Sequence, residues 1–281
     1  MLRSILLAAI LTCPSLTFSA EIWGIGLTNF SGDQVLARFD SADPTVIDVI
    51  APVTSPDILW VGIEFDLQGN LYAFAVSATN ADPIGIHLVN QVTGTTTLLG
   101  TPNLPPGVEV RDLALDPTSG TLYAVGGALG EVIIYTVSML TGEMLLDTDL
   151  GDWEVAPDGL AIDGAGNKFI LDLWQERMWY VCDSALGPFG HLGIVTWFQQ
   201  GMTIDWDGDG TWYHAAKIDP NNTGLIGASR LPVFSQLRTV DPATGATTLV
   251  DYFPQVDEFL SFGDIAIRPT QGNMIAIDLP S

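Results

Sequence analysis

Basic residues are scarce in this chain: Lys and Arg number 9 against 33 Asp and Glu, leaving a formal charge of −24 across 281 residues. Such a balance repels phosphate backbones and anionic bilayers, so nucleic-acid binding and electrostatic membrane attachment are excluded. Histidine is rarer still. His87, His191 and His214 fall in separate strand-like segments, where packing or surface roles are commoner than membership of a catalytic triad. The chain lacks a Gly-x-Ser-x-Gly elbow, a His-Glu-x-x-His pair and a glycine-rich loop leading from strand to helix. The usual signatures of serine hydrolases, zinc peptidases and nucleotide binders are therefore missing. Beyond the first twenty residues no apolar run is long enough to span a bilayer, and no C-terminal anchor is evident.

The N-terminus does carry a short apolar run. Arg3, the stretch from Ile5 to Leu11 and the small residues around Thr17-Phe18-Ser19-Ala20 predict a secretory signal peptide over 1–20, cleaved after Ser19 or Ala20. A single domain over 21–281 follows. The rival is lipid attachment at Cys13, from the lipobox-like Ile10-Leu11-Thr12-Cys13, but Thr12 is large for its position and the run before it is short. Cleavage near Ser19 leaves Cys182 alone, without a disulfide partner. Its place in the alternating Met178-Trp179-Tyr180-Val181-Cys182 predicts a half-buried structural thiol. A secreted or periplasmic, soluble protein is expected.

What the chain has in abundance is a repeated phrase. Gly62-Ile63-Glu64-Phe65-Asp66 precedes Leu71-Tyr72-Ala73-Phe74, and Asp112-Leu113-Ala114-Leu115-Asp116 precedes Leu122-Tyr123-Ala124-Val125. The phrase returns at Gly159–Asp163, at Gly201–Asp205 and at Asp264–Ile267. Units about fifty residues long, built of short strands and turns, predict a β-propeller of four-stranded antiparallel blades. Third strands are expected at Ile86–Val89, Ile133–Val137, Met178–Val181 and Gln236–Val240. Fourth strands are expected at Thr96–Leu99, Met144–Leu146, Leu192–Val195 and Thr247–Val250. Thr93-Gly94, Thr141-Gly142 and Thr244-Gly245 supply the hairpins between them. Ile22–Ile25, Val35–Phe39 and Val46–Val49 lack a first strand that Asp264–Ile267 provides, so the termini close the ring. Five blades result, with Met274–Ile277 either extending the composite blade or beginning a sixth.

The loops that join blades share one face with the loops between second and third strands. That face receives Asp57, Glu109, Asp112, Asp152, Glu154, Asp158, Asp257, Glu258 and Asp264, with Arg111 as its one nearby base. Carboxylates gathered at a propeller mouth suit Ca²⁺ or an acid/base pair, although many loop acids merely cap turns. Glu109, Arg111, Asp112, Trp153, Asp158 and Asp264 are the candidate ligand-binding residues, and Glu154, Asp158 and Asp264 the candidate catalytic acids. Asp205-Trp206-Asp207-Gly208-Asp209-Gly210 resembles the start of a Ca²⁺ loop, but Ala216 stands where its bidentate acid belongs. Alignment with Asp66–Gly69 makes the same segment a hairpin on the opposite face. Asp205, Asp207 and Asp209 are thus metal candidates against a plainer reading as a turn. Trp153, Trp174 and Trp179 either fill gaps between blades or stack on sugar rings.

The stretch Val35-Leu36-Ala37-Arg38-Phe39-Asp40-Ser41-Ala42-Asp43-Pro44, with Val61-Gly62-Ile63-Glu64-Phe65 after it, resembles a family of secreted bacterial propellers without an established activity. The resemblance implies an exported bacterial protein and no catalytic residues. Ala156-Pro157-Asp158-Gly159-Leu160-Ala161-Ile162-Asp163 is similar to a blade opening of gluconolactonase-type and NHL-type propellers, whose lactonase members imply an axial metal. Only Asp158 falls near a matching position. Three functions stay open: a binding scaffold for a protein or polysaccharide of the cell envelope; a metal-dependent hydrolase of lactones, esters or glycans; and a Ca²⁺-stabilised structural protein. The missing catalytic motifs lean away from an enzyme, and Ca²⁺ is the one cofactor the acids suit.

Overall fold

The computed structural model describes residues 19–27, 34–53, 57–79, 83–128, 130–172, 177–182, 185–191, 201–204, 210–218, 234–253 and 261–269. Among them every regular element is a β-strand. The chain opens with β1 (Glu21–Leu27), β2 (Gln34–Asp40) and β3 (Asp43–Val53). The first blade holds β4 (Ile58–Phe65), β5 (Leu71–Ser77), β6 (Pro83–Val89) and β7 (Thr96–Gly100). The second holds β8 (Glu109–Asp116), β9 (Thr121–Gly127), β10 (Gly130–Val137) and β11 (Met144–Val155). The third holds β12 (Pro157–Ile162), β13 (Lys168–Asp172), β14 (Arg177–Cys182) and β15 (Ala185–His191). The fourth holds β16 (Gly201–Ile204), β17 (Trp212–Ile218), β18 (Phe234–Val240) and β19 (Thr247–Tyr252). Finally β20 (Ser261–Ile267) pairs antiparallel with β1, making the fifth, closing blade in the order β20-β1-β2-β3. The five-bladed propeller read from the repeat is the fold, and joined termini close its ring.

Each blade is apolar on both faces, because alternate side chains meet different neighbours. Tyr72, Phe74 and Val76 of β5 pack with Leu113 and Leu122 of the second blade, while Leu71, Ala73 and Ala75 pack with Trp23 and Ile25 of the closing blade. The buried apolar side chains fall into five clusters, one at each seam between blades. At about 25 cal/mol per Å² of apolar surface, these seams dominate the fold's stabilisation. Exposed apolar residues instead gather on outer strands and hairpin tips, as with Val46, Leu98, Leu145 and Leu249.

The Thr-Gly hairpins also touch their neighbours. Gly142 adopts φ +69, and a β-carbon there would lie 2.5 Å from Gly100 O at the end of the preceding blade's outer strand. Gly94, at φ +67, stands in the same relation to Ala51 of β3. Glycine is required twice at these turns, for a left-handed backbone and for the approach of the next blade.

Two expectations change. The third blade's outer strand is β15, not Leu192–Val195, which lies outside the described residues. Gly187, Pro188 and Gly190 suppress the strand signal of β15, yet proline is tolerated on an edge strand. Cys182, at the end of β14, is exposed rather than half-buried. Met274–Ile277 lies outside the described residues, as does the whole leader before Ser19.

Candidate functional site

The inner strands β4, β8, β12, β16 and β20 pack around the axis, and three acids staple four of them, β20, β4, β8 and β12, together. Asp264 accepts the amide N–H of its own neighbour Ile265 (2.8 Å) and that of Ile63 on the next inner strand (2.6 Å). Asp112 repeats the pattern with Leu113 (2.7 Å) and, one blade on, Leu160 (2.6 Å). Glu64 does the same two residues along, accepting from Phe65 (2.7 Å) and Leu115 (3.3 Å). The reason Glu64 replaces an acid at position 62 is steric. A β-carbon on Gly62 would lie 2.9 Å from Leu113 N, so the strands meet there backbone to backbone.

Asp112 and Asp264 are buried, Glu64 is half-buried, and the three crowd one another. Asp112 and Asp264 are only 1% and 3% exposed and are hydrogen-bonded to each other, which requires a proton between them. Burial pushes Glu64 up to about 8, with Asp264's charge adding to the shift and the Phe65 and Leu115 amides opposing it. Asp264 rises to about 7 through burial, offset by the Ile63 amide, the Asp112 bond and the Ile265 amide, and raised further by Asp158. Asp112 is held well above the usual carboxylate range by burial and then by Asp264. At neutral pH the axis therefore holds protons. Its acids can bind backbone without concentrating negative charge.

Above the axis lies the accessible chemistry. A cleft of about 430 Å³ opens between the second and third blades, lined by Glu109, Arg111, Pro157, Asp158 and the glycines Gly107, Gly127 and Gly130. Both charged residues nearest the axis reach it by one device. Ladder pairing skips Arg111 between Val110 and Asp112, and skips Asp158 between Pro157 and Gly159. Each is the extra residue of a β-bulge, which turns a side chain out of the pleat. Val61 and Gly263 occupy the same bulge in the first and closing blades, without charge. Glu109 pairs with Arg111 at the cleft wall, both side chains being nearly half exposed.

The sequence-derived candidates thus separate by depth. Glu109, Arg111 and Asp158 line the cleft, whereas Asp112 and Asp264 are buried staples outside its lining. Trp153, on β11, does not line it; it is 38% exposed, with its indole N–H on Leu150 O (2.6 Å) and its ring 6.5 Å from Trp179. The Glu154 side chain and Asp205, Asp207 and Asp209 lie outside the described residues, as do Asp257 and Glu258. Among the described residues no three His, Cys, Asp or Glu side chains converge as metal ligands. The sequence reading missed the lining glycines, whose signal was the Gly126-Gly127 and Gly130 cluster around one loop. It also missed Gln34, which is buried in the first blade's seam and holds Trp60 by both backbone N–H (2.7 Å) and carbonyl (2.8 Å).

No family model matches the sequence, and no curated protein matches it. Among solved structures the chain resembles one in a nidogen/laminin complex, at 14% identity and TM-score 0.52 over 89% of this chain and 98% of that one. A protein of unknown function from Bacteroides caccae is similar at 11% identity and TM-score 0.51, over 89% and 100%. A gluconolactonase from Xanthomonas campestris shares 14% identity at TM-score 0.47, over 84% and 77%. At such identities the likeness is one of fold.

Proposed function

We propose that the protein is an exported binding module that holds a polar segment of a cell-envelope polysaccharide or protein in the cleft between its second and third blades. The observation that carries this reading is the division of labour among the acids. Asp112 and Asp264 are buried, and they and Glu64 are spent on backbone amides of their own and neighbouring blades. Among the described residues, Glu109, Arg111 and Asp158 remain accessible around a glycine-lined cleft, and Trp153 lies two residues before its lining residue Val155. Mixed charges at Glu109, Arg111 and Asp158 favour a hydrogen-bonding ligand over a strongly charged one, and Trp153 offers an apolar face. Incubating the mature protein with envelope and polysaccharide fractions tests the proposal. Retention that falls at least tenfold in Arg111→Ala and Asp158→Asn, with unchanged melting, supports it. No retention on any fraction contradicts it.

A metal-dependent hydrolase is the second reading, favoured by one feature: Asp158, at the cleft, is close enough to raise Asp264, which shares a proton with Asp112. An activity screen on lactones, esters and glycans with Ca²⁺, Mn²⁺ and Zn²⁺ decides it, and a blank screen removes it. Ca²⁺ as a structural ion at Asp205, Asp207 and Asp209 predicts a lower melting temperature in EDTA, and an unchanged melt removes that role.

A further inference from the structure

The closing blade carries an observation that the cleft does not use. Ala20 is 3% exposed and packs with Ile22, Phe39 and Ile267. Ser41, also buried, clasps it on both sides. The Ala20 N–H donates to Ser41 Oγ (2.9 Å), and the Ala20 carbonyl accepts the Ser41 N–H (2.9 Å). One residue earlier the surroundings change: Ser19 is exposed, and its hydroxyl donates to Asp40 Oδ2 (2.9 Å). The boundary between solvent and core therefore falls at the Ser19–Ala20 bond. Small residues precede that bond at the two positions a leader peptidase reads, Thr17 and Ser19. A cut one residue later would place Phe18 at the first of them.

We propose that the mature protein begins at Ala20, by hydrolysis of the Ser19–Ala20 bond by a signal peptidase during export, and that the new terminus is a structural part of the closing blade. Water adds its hydroxyl to the Ser19 carbonyl carbon, the C–N bond breaks, and the Ala20 nitrogen takes up protons to leave as an ammonium. That ammonium keeps Ser41 Oγ as an acceptor and gains the Asp40 carboxylate, freed from Ser19, as its counter-charge. Cutting after Ala20 instead would strip the buried N–H and hydroxyl of Ser41 of their partners on Ala20, which is costlier than never forming the bonds. The inference rests on the export half of the proposed function and not on the cleft.

The test expresses the full chain with its own leader in a bacterial secretion host and reads the exported protein by intact mass and N-terminal sequencing. Ala-Glu-Ile-Trp is the expected start. An exported chain beginning at Glu21, or at a lipid-modified Cys13, overturns the proposal alone. A chain that stays unprocessed in the cytoplasm overturns the export reading together with it. Two mature forms, starting at Ala20 and at Glu21, check the structural half. The shorter form should melt about 5 °C lower, and equal melting would overturn the structural role of Ala20.

Discussion

At the C-terminal ends of the inner strands stand Asp66, Asp116 and Asp163; within the strands stand Asp112, Asp264 and Glu64. The first group folds over its own turn. Asp116 receives Thr118 N–H (2.8 Å), Thr118 Oγ1 (2.7 Å) and Ser119 Oγ (2.7 Å). Despite some burial, those donors hold it below the usual carboxylate range. Asp66 gathers Gln68 and Asn70 amides and the Asn70 side chain, and its charge, after burial, pushes Tyr72 up to about 12. The second group has as many oxygens but only two amides each, and lies beside other acids. Donor number against neighbouring acids decides the outcome. Asp116 stays charged over its own turn, while acids at the axis take protons and bridge blades.

Removing a member of each group should separate them. Asp264→Ala strands the Ile63 and Ile265 amides in a site that water does not reach, and should cost about 3–5 kcal/mol by denaturant unfolding. Gly142→Val should cost roughly 2–3 kcal/mol, because it combines a left-handed backbone with a collision at Gly100. Asp116→Ala leaves turn groups within reach of solvent and should cost about 1–2 kcal/mol. If Asp116→Ala equals or exceeds Asp264→Ala, the comparison fails. At the small end, Arg111→Ala should change stability by less than about 0.5 kcal/mol, since its partner Glu109 is well exposed. A larger loss would mean that the cleft charges hold the blades rather than a ligand.

The blades were legible in the sequence because their apolar positions recur with period two, and because each phrase ends in a turn whose glycine stands out. Gly69, at φ +78, and Gly166, at φ +83, close the hairpins expected of them. The chemistry of the acids was less legible. Whether Asp112 faces solvent or Asp264 depends on how the ring closes, which no local pattern records. The bulge that aims Arg111 and Asp158 into the cleft is filled elsewhere by Val61 and Gly263, so residue type gives it no signature. Position on the mouth could be read from the repeat, but depth could not.

The most direct test of the axial account is melting temperature against pH from 5 to 9 for the native protein and Glu64→Gln. Glu64 binds its proton more tightly folded, at about 8, than unfolded, near its ordinary 4.5, and Asp264 does so at about 7 against 3.8. Their contribution is complete below the ordinary values and is lost as pH rises through 7 and 8, amounting to roughly 3–5 kcal/mol for Glu64 alone. Surface carboxylates are fully ionised before that window opens, so growing net charge does not mimic the effect. His87 acts at the opposite limb. Burial holds it below its ordinary 6.5, so its contribution is present above 6.5 and lost as pH falls. The account predicts a native protein most stable in mild acid and weakening steadily to pH 9, with a distinctly flatter alkaline limb in Glu64→Gln. A native melting temperature that holds level or rises from pH 6 to 9, or a variant with the same slope, would contradict it.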